Sequence, residues 1–426
     1  MRILLLGSGG REHALAWKIS QSMLCTQLYI APGNAGTALC GQNVAIADND
    51  IAGIKQFILE KRIDMLVVGP EQALVDGIYD AIKKDTSTQH VMVIGPSQAG
   101  ARLEGSKDYA KEFMQEYHIP TAAYRTFSAD EYEQSVAFLH TMQAPYVLKA
   151  DGLAAGKGVI ITEDILQAEK ELHAMFLENK FGNSGHKVVI EQYLKGIELS
   201  VFVLTDGNSY LILPSAKDYK RIGEGDTGLN TGGMGSVSPV PFADEVFMQK
   251  VEDRIIKPTI QGIQQRGIIY HGFIFIGLMN VNGDPYVIEY NVRMGDPETE
   301  SVMPRINNDL VELFLHTAHG SLHQDTINIS DQCVASIMLV SGGYPEKYEK
   351  GKIISHCEAI SDSRIFHAGT RRNEQGELLT AGGRVMTVTS MADTLEKALA
   401  LSNKNAEIIQ FDKKYYRKDI GLDVCK

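Results

Sequence analysis

Four short apolar segments in the first hundred residues each run directly into a turn rich in glycine or proline. They are RILLL before GSGG, QLYI before APGNAGT, IDMLVV before GPEQ and HVMVI before GPSQ. Helix-like stretches separate them, and this alternation predicts a doubly wound parallel sheet with right-handed crossovers. In such a sheet the loops that follow the strands meet at one edge, where ligands bind.

The first glycine turn, Gly7 to Gly10, departs from a dinucleotide-binding motif. The third glycine of G-x-G-x-x-G would fall at Glu12, and the second strand closes with Tyr-Ile-Ala-Pro rather than with an acidic residue. What remains is a loop of backbone N–H groups at a helix N-terminus, which suits a phosphate or a sugar phosphate. The alternative, a tight turn that merely needs glycine, leaves Arg11, Glu12 and His13 at the ligand edge unexplained.

The segment KADGLAAGKGV looks like a phosphate-binding P-loop, but its spacing is different. Gly152 and Gly156 enclose three residues where a Walker A motif has four, and Gly158 stands after Lys157 where a hydroxyl is required. The flanks, YVLKA and GVIITE, predict two strands rather than a strand and a helix. We therefore expect a glycine-rich hairpin over a triphosphate, with Lys149 as a fixed charge. A surface hairpin with a solvated lysine is the alternative.

Acidic residues occur in two further strand-like segments. KVVIEQYLKGIELSVFV carries Glu191 and Glu198 around a short connection, where they could accept hydrogen bonds from an adenine amine and ribose hydroxyls. In PYVIEYNVR, strand alternation predicts that one face carries Val287, Glu289, Asn291 and Arg293, and the other Ile288, Tyr290 and Val292.

A carboxylate beside an amide oxygen suits Mg²⁺ that arrives with nucleotide phosphates, as expected for Glu289 and Asn291. Arg293 can hold a carboxylate or a phosphate by a two-pronged contact. A polar face in water is the alternative. The glycine-rich stretch 221–239 lies between the two acidic segments, and its length predicts an irregular loop that covers a site.

Composition excludes several classes of protein. The 53 acidic and 41 basic residues give a net charge of −12, which disfavours nucleic acid as a partner. The five cysteines show no C-x-x-C pairing, so we expect neither a zinc site nor disulfides, in keeping with a reducing cytoplasm. No window approaches the roughly 18 apolar residues of a membrane span, and we expect neither an export signal nor an anchor.

Taken together, these motifs resemble those of the ATP-grasp enzymes and, more closely, those of the phosphoribosylamine–glycine ligase family of purine biosynthesis. The resemblance runs nearly end to end and rests on GSGGREHALAWK, APGNAGT, VVGPEQALVDG, LEGSKDYAKEF, KADGLAAGKGV, DTGLNTGGMG, IEYNVRMGDPETE, FHAGT, AGGRV and YYRKDIG. It implies that ATP, glycine and 5-phosphoribosylamine give glycinamide ribonucleotide, ADP and phosphate through glycyl phosphate, with Mg²⁺ or Mn²⁺.

The resemblance also implies roles for individual residues. Those expected at ATP are Lys107, Lys149, Gly156, Lys157 and Gly158 for the phosphates, Glu191 and Leu194 for adenine, and Glu198 for ribose. Those expected at phosphoribosylamine are Gly9, Gly10, Arg11, Glu12, Pro32, Gly33, Asn34, Pro70 and Glu71. Glu289 and Asn291 would bind metal, and Asp218 and Arg293 would hold the amine and the carboxylate of glycine.

The implied architecture combines α/β and α+β parts. It consists of an N-terminal doubly wound domain over residues 1–104, a central ATP-grasp domain over 105–325 with a lid at about 123–192, and a small C-terminal α+β domain over 326–426. The last part reads as short strands and one helix near 392–409, with His356 and His367 in structural or surface positions. We expect a monomer, with a dimer as the alternative, and only small-molecule partners.

Three positions differ from the usual family pattern. Lys217 stands where glutamine is usual, Met294 where phenylalanine is usual, and Glu300 where the residue is usually neutral. An ion pair between Lys217 and Glu300 would compensate the two charges. The strand GFIFIGLMNV also lacks the acid that would hold a second metal. Three other functions stay open from the residues alone: a different ATP-grasp carboxylate–amine ligase, a dinucleotide-dependent oxidoreductase and a non-catalytic nucleotide-binding module.

Overall fold

The computed structural model describes residues 1–153, 158–178, 180–182 and 186–425. The strands are β1 Arg2–Gly7, β2 Gln27–Pro32, β3 Gln42–Asn43, β4 Met65–Val68, β5 Met92–Pro96, β6 Tyr124–Ser128, β7 Tyr146–Ala150, β8 Val159–Thr162, β9 Lys187–Gln192, β10 Ile197–Thr205, β11 Tyr210–Ile212, β12 Lys217–Asp218, β13 Arg221–Gly223, β14 Thr227–Asn230, β15 Gly235–Ser238, β16 Tyr270–Val281, β17 Asp284–Asn291, β18 Cys333–Val340, β19 Arg364–His367, β20 Thr370–Arg372, β21 Leu378–Thr380 and β22 Arg384–Ala392.

The helices connect these strands and pack on their faces. They are α1 Gly10–Ile19, α2 Ile51–Lys61, α3 Glu71–Val75, α4 Ile78–Lys84, α5 Gln98–Gly105, α6 Lys107–Glu116, α7 Tyr132–Leu139, α8 Ile165–Leu177, α9 Glu245–Val251, α10 Lys257–Gln265, α11 Glu298–Val302, α12 Leu310–His319 and α13 Leu395–Ile408. Among the described helices, none is long and apolar enough to cross a membrane.

The parallel sheet predicted from the first hundred residues is confirmed. Strand β1 lies between β2 and β4, and β4 pairs with β5, all in parallel. The apolar residues of β1 are buried on both faces, as expected for a strand covered by helices on two sides. Beyond β5 the sheet continues through the antiparallel strands β16, β10 and β11, with β17 also on β16. The N-terminal and central parts therefore share one sheet.

A separate four-stranded sheet forms the small subdomain between residues 124 and 192, in the order β6-β9-β7-β8. The expected hairpin is confirmed, since β7 and β8 pair antiparallel with Lys149 opposite Val159. Helices α7 and α8 cover this sheet, and its own apolar core includes Phe127, Leu172 and Ile190. The subdomain thus has a core of its own and presents the end of β7 to the rest of the chain.

The stretch 221–239 is not the irregular loop that the sequence predicts. Strands β13 and β14 form a hairpin, and β15 joins the C-terminal sheet, whose order is β12-β15-β18-β22-β19. Val237 lies in the core of that sheet. The prediction fails because GSVS is too short and too poor in apolar residues to show strand alternation. The predicted late helix is present as α13, which begins at Leu395 after its cap Thr394.

Strand β17 differs in one respect from the alternation expected of it. Gly277 faces Glu289 and Leu278 faces Val287, so Ile288 is an extra residue that forms a β-bulge. Because the bulge resets the alternation, Val287 lies in the apolar core with Tyr290 rather than beside Glu289. The predicted placement of Val287 and Ile288 is therefore wrong, although Glu289 still alternates with Tyr290.

Candidate active site

Two lysines and one glutamate form a buried charge cluster where the small subdomain meets β17. Lys149 Nζ lies 3.0 Å from Glu191 Oε2, and Lys111 Nζ lies 3.2 Å from Glu191 Oε1. Lys149 also donates to the carbonyl of Ile288 over 3.1 Å. Burial lowers the pKa of Lys111 to about 8, although Glu191 opposes this. Lys111 was not expected from the sequence, although its spacing of four from Lys107 places it on the same face of α6.

Lys107 begins α6 and contacts the turn after β7. Its Nζ donates to the carbonyl of Gly152 over 2.9 Å, and Asp151 accepts the backbone N–H of Asp108 over 3.2 Å. Burial lowers the pKa of Lys107, while the nearby Glu289 acts in the opposite direction. The structure therefore brings Lys107 and the expected phosphate-binding hairpin together, next to the expected metal ligands.

The remaining residues expected at the nucleotide lie in connections between strands. Gly156 and Lys157 lie outside the described residues, whereas the carbonyl of Gly158 accepts the backbone N–H of Ala150 over 2.8 Å. Leu194 is half-buried in the connection between β9 and β10. Gly158 thus directly precedes β8, and Leu194 follows β9 after Tyr193.

Acidic and basic side chains lie close together where β10 and β12 meet the start of α11. Lys220 Nζ is 2.8 Å from Glu198 Oε2. Although burial opposes the charge, Asp218, Glu198 and Glu289 raise the pKa of Lys220 well above its ordinary value. Burial, then Asp218, raises the pKa of Glu298 to about 7, and Ser200 Oγ donates to Glu298 Oε1 over 3.2 Å.

Of this set, Glu198 and Asp218 were expected from the sequence, whereas Lys220 and Glu298 were not. Burial also raises the pKa of Asp218, which Lys220 opposes. Glu298 places a second carboxylate near Asp218, and Lys220 acts on both. Glu298 stood in the quoted motif GDPETE, so its acidic context was the signal that could have identified it.

Glu289 and Asn291 share one side of β17 at its end. Asn291 is buried, and its Nδ2 atom has no hydrogen-bond partner. As an N–H donor, this Nδ2 atom suits an acceptor such as a phosphate oxygen, whereas the amide Oδ1 is the atom of Asn291 that could bind a cation. Carboxylate and amide oxygens are suitable ligands for Mg²⁺. Among the described residues, those at this site included, no group of three or more His, Cys, Asp or Glu side chains could hold a metal. The residues present therefore fit a metal bound partly by other oxygen donors.

Arg293 follows β17 and joins it to the N-terminal domain. Its Nη2 lies 2.8 Å from Glu104 Oε1, and its Nε lies 3.2 Å from Glu71 Oε2. The carbonyl of Met294 accepts hydrogen bonds from both Arg293 Nη1 and Arg11 Nη1, each over 3.2 Å. Two of the residues expected to bind different substrates are thus hydrogen-bonded to one carbonyl. Glu104, in the LEGSK motif, was missed as a site residue.

The N-terminus of α1 is already partly satisfied by carboxylates of the protein. Glu12 Oε2 accepts the backbone N–H of Gly9 over 2.7 Å, and Asp296 Oδ2 accepts that of Arg11 over 3.3 Å. Arg11 Nε lies 2.6 Å from Glu12 Oε1. Two N–H groups that we expected to meet a phosphate therefore face acidic side chains, and Gly10 lies between them.

The loop after β2 is held against this turn by the C-terminal domain. Pro32 ends β2 opposite Gly7, and Gly33 takes a left-handed φ of 72°. Asn34 Nδ2 donates to the carbonyls of Ser8 and His367, each over 2.8 Å. Pro70 immediately precedes α3, which begins at Glu71. All of the loops expected at phosphoribosylamine therefore lie at the carboxyl ends of the parallel strands.

Two buried histidines connect the same domains. The backbone N–H of His367 donates to His13 Nδ1 over 2.7 Å. Burial lowers the pKa of His13 to about 3 and that of His367 to about 4. Neutral, buried rings of this kind contribute to packing, which agrees with the structural position expected for His367. His356 is exposed, which agrees with the surface position that was the other expectation.

The expected ion pair between Lys217 and Glu300 is wrong. Lys217 Nζ lies 2.6 Å from Asp423 Oδ2 near the C-terminus. Glu300 is fully buried, where Thr387 Oγ1 donates to its Oε1 over 3.3 Å, and burial with Asp296 nearby raises its pKa. The two residues lie on different elements, β12 and α11, which sequence proximity to the site does not show. Met294 is buried in a core cluster.

Three family models match consecutive parts of the chain. They describe the N domain of phosphoribosylglycinamide synthetase over residues 1–104, its ATP-grasp (A) domain over 105–299 and its C domain over 334–423. The chain belongs to the phosphoribosylglycinamide synthetase family. Membership makes it an ATP-grasp ligase with the three-part architecture described above.

Relatives in this family match over nearly the whole chain. A "Phosphoribosylamine--glycine ligase" of Yersinia pestis is 44% identical over 426 residues, which cover 99% of this chain and 98% of the relative. One of Escherichia coli (strain K12) is 42% identical with the same coverage.

Solved structures agree with this placement. The crystal structure of a phosphoribosylamine–glycine ligase from Thermotoga maritima has a TM-score of 0.85 at 35% identity, covering 98% of this chain and 100% of that one. The crystal structure of a biotin carboxylase–beta-gamma-ATP complex from Campylobacter jejuni has a TM-score of 0.74 at 16% identity. It covers 99% of this chain and 94% of its own length, and at that identity it shows a shared fold alone.

Proposed function

We propose that this member of the phosphoribosylglycinamide synthetase family joins glycine to 5-phosphoribosylamine at the expense of ATP, giving glycinamide ribonucleotide, ADP and phosphate. The observation that carries the proposal is the Met294 carbonyl, to which Arg293 and Arg11 both donate. It sets the ATP-grasp residues at the end of β17 beside the N-terminal loops. The names of the full-length relatives support the same substrates.

The reaction we propose has two steps. A carboxylate oxygen of glycine attacks the γ-phosphorus of ATP, so that an O–P bond forms, the bond to the β-phosphate oxygen breaks and ADP leaves. The amine of phosphoribosylamine then attacks the carbonyl carbon of glycyl phosphate, phosphate leaves with the C–O electron pair, and the nitrogen loses a proton. Both steps need charge neutralisation and positioning, rather than a nucleophilic side chain.

In this scheme the charged residues hold the reactants. Lys107 and Lys149 bind ATP phosphates, Arg293 binds the carboxylate of glycine, and Asp218 binds its ammonium. The second carboxylate near Asp218, that of Glu298, supports the last assignment. Positioned cations of this kind lower the barrier most when water is kept out.

The other nucleotide contacts follow the strands of the small subdomain. We propose that Glu191 and Leu194 meet adenine, that Glu198 meets ribose, and that Gly156, Lys157 and Gly158 contact the phosphates. Glu289 and Asn291 would hold Mg²⁺ or Mn²⁺, which neutralises the phosphate charge when bound. The buried, unpartnered Asn291 Nδ2 supports an acceptor, such as a phosphate oxygen, beside that metal.

Phosphoribosylamine would lie among the loops at the edge of the parallel sheet. The residues proposed to bind it are Gly9, Gly10, Arg11, Glu12, Pro32, Gly33, Asn34, Pro70 and Glu71. Arg11 is the only arginine among them, and its guanidinium suits the sugar phosphate. Before a phosphate can use the Gly9 N–H, it must displace the Glu12 carboxylate from that group.

We propose domain boundaries at 104 and 325, with a lid at about 123–192, and a monomeric cytoplasmic enzyme. The separate core of the small subdomain supports the lid. The boundary at 325 divides the chain less cleanly, because β12 and β15 pair within the C-terminal sheet.

The test is ADP release measured with glycine, with and without phosphoribosylamine. We expect ADP release to require glycine, and glycinamide ribonucleotide to form only when both substrates are present. Arg293→Met should abolish glycine-dependent ADP release, whereas Arg254→Met, at a half-exposed arginine paired with Asp284, should keep it. ADP formation with another amino acid but not with glycine would contradict the proposal and indicate a different carboxylate–amine ligase.

A further inference from the structure

Arg293 is held by two carboxylates that differ in their access to solvent. The side chain of Glu104, 2.8 Å from Nη2, is 7% exposed, whereas that of Glu71, 3.2 Å from Nε, is 31% exposed. A ligand that enters from solvent can therefore reach the guanidinium past Glu71, while Glu104 stays in contact with it from the protein interior. The two partners are not equivalent.

Glu104 also fixes the backbone that carries Arg293. Its Oε2 accepts the N–H of Val292 over 2.8 Å, while its Oε1 contacts the guanidinium. Because Val292 lies between Asn291 and Arg293, one carboxylate restrains both the end of β17 and the side chain beyond it. Charge-assisted contacts at two points leave a side chain little rotational freedom.

Glu104 lies between two parts of the site, so its contact with Arg293 does more than pack the two side chains together. Glu104 lies on α5, one residue before the end of the helix, and α6 with Lys107 follows directly. The same carboxylate thus connects the segment that carries an expected ATP-phosphate lysine to the arginine expected at the second substrate. A purely structural ion pair would not need to lie between these two groups.

We propose that Glu104 is a positioning residue, which holds the Arg293 guanidinium in the orientation that receives the carboxylate of the amino-acid substrate. The inference rests on the proposed function, in which that substrate is glycine. Glu104 does not itself touch the substrate. Displacement of a binding group by about 1 Å can slow a reaction roughly 100-fold, so a buried neighbour that fixes it affects turnover.

A double-mutant cycle tests whether Glu104 acts through Arg293. The variants are Glu104→Gln, Arg293→Lys and the pair together, and glutamine keeps an acceptor for the Val292 N–H while it removes the charge. We expect Glu104→Gln to lower kcat/KM for glycine by roughly 10- to 100-fold, with KM for ATP and Tm close to those of the wild type. The double variant should then be no slower than Arg293→Lys within about twofold.

Several outcomes would overturn the inference. Losses that multiply in the double variant would show that Glu104 acts independently of Arg293. A parallel change in KM for ATP and in Tm would show a general structural role. Glu104→Gln behaving like the control Glu112→Gln, at an exposed position on α6, would show that Glu104 has no role in the reaction.

A replacement variant and the activity of the wild type distinguish failure of this inference from failure of folding or of the proposed function. If Glu104→Gln does not fold, Glu104→Asp replaces it in the same cycle. Aspartate keeps the charge, but its shorter side chain holds the carboxylate farther from the Arg293 guanidinium. If the wild-type enzyme shows no glycine-dependent ADP release, the proposed function fails and this inference fails with it. If the wild type is active and the cycle shows no coupling, only this inference fails.

Discussion

The ammonium of Lys149 and the carboxylate of Glu191 lie 3.0 Å apart on neighbouring strands, and each residue is only 4% exposed. A buried pair of this kind leaves an uncompensated charge when one partner is removed. In this protein Lys111 also contacts the carboxylate, so Glu191 keeps one cation when Lys149 is replaced. The role of Lys149 in turnover can therefore be tested without leaving its partner unpaired.

Lys149→Met should lower kcat by roughly 100- to 1,000-fold, the usual effect of removing one group that stabilises transition-state charge. Steady-state ADP release at saturating glycine and ATP measures this, with Tm as the check on folding. Lys170→Met is the matched control, because Lys170 is exposed on α8. Equal kcat values for the two variants would exclude Lys149 from the phosphoryl-transfer step.

Glu289→Gln should raise the Mg²⁺ concentration needed for half-maximal activity, because an amide is a weaker ligand than a carboxylate for a hard cation. Activity measured across a Mg²⁺ titration at fixed ATP gives the midpoint. We expect an increase of roughly tenfold or more, equivalent to at least about 1.4 kcal/mol. Glu245→Gln, at an exposed residue of α9, is the control. An unchanged midpoint would remove Glu289 from the metal site.

Glu298→Gln should change the pH dependence of stability. Burial, then Asp218, raises the pKa of Glu298 to about 7, above a value of about 4.3 in the unfolded chain. Its protonation therefore stabilises the native state fully below about pH 4, and this contribution is lost as pH rises through 7. Because glutamine does not titrate, Tm of the variant relative to the wild type should rise between pH 5 and pH 8.

Tm without ligands, measured at both pH values, decides this prediction. Glu133→Gln, at an exposed residue of α7, should keep a constant difference from the wild type. A constant difference for Glu298→Gln as well would mean that Glu298 is already ionised at pH 5 in the folded protein.

His13→Asn should make the protein less sensitive to acid. Burial lowers the pKa of His13 to about 3, below an ordinary value of about 6.5, so the unfolded chain binds a proton that the native state excludes. The resulting stabilisation is present above about pH 6.5 and is lost as pH falls towards 3. Asparagine can accept the same N–H of His367 without titrating.

Thermal unfolding between pH 7 and pH 5 measures this effect. Between pH 7 and pH 5, Tm should fall further for the wild type than for His13→Asn. The Tm of His90→Asn, at an exposed position, should fall as much as that of the wild type. Equal losses for all three proteins would show that His13 is not what makes the native state sensitive to acid.

Features that depend on local pattern could be predicted from the sequence. The parallel strands β1, β2, β4 and β5 and the hairpin of β7 and β8 were expected, because apolar runs bounded by glycine signal strands. Contacts between segments that are distant in the sequence could not be predicted in this way. The partner of Lys217 is Asp423, some two hundred residues away, and a bulge at Ile288 changes which residues face the core.

The same distinction applies to the site. Glu289, Asn291 and Arg293 could be grouped from the sequence because they stand at alternate positions of one strand-like motif, and their roles stay predictions. Glu104 and Lys220 were missed, because each becomes notable only through its spatial neighbours: Glu104 through Arg293, and Lys220 through Glu198. Charged residues with such partners look like ordinary surface charges in a single sequence.

The position of β15 has a consequence for dissecting this enzyme. Gly235–Ser238 hydrogen-bonds to β12 on one side and to β18 on the other, so polypeptide from before and after residue 326 closes one sheet. A gene split at 326 would yield two fragments with bare hydrogen-bonding edges. Neither fragment would work as an independent module, and activity would return only through co-expression and reassembly of the two pieces.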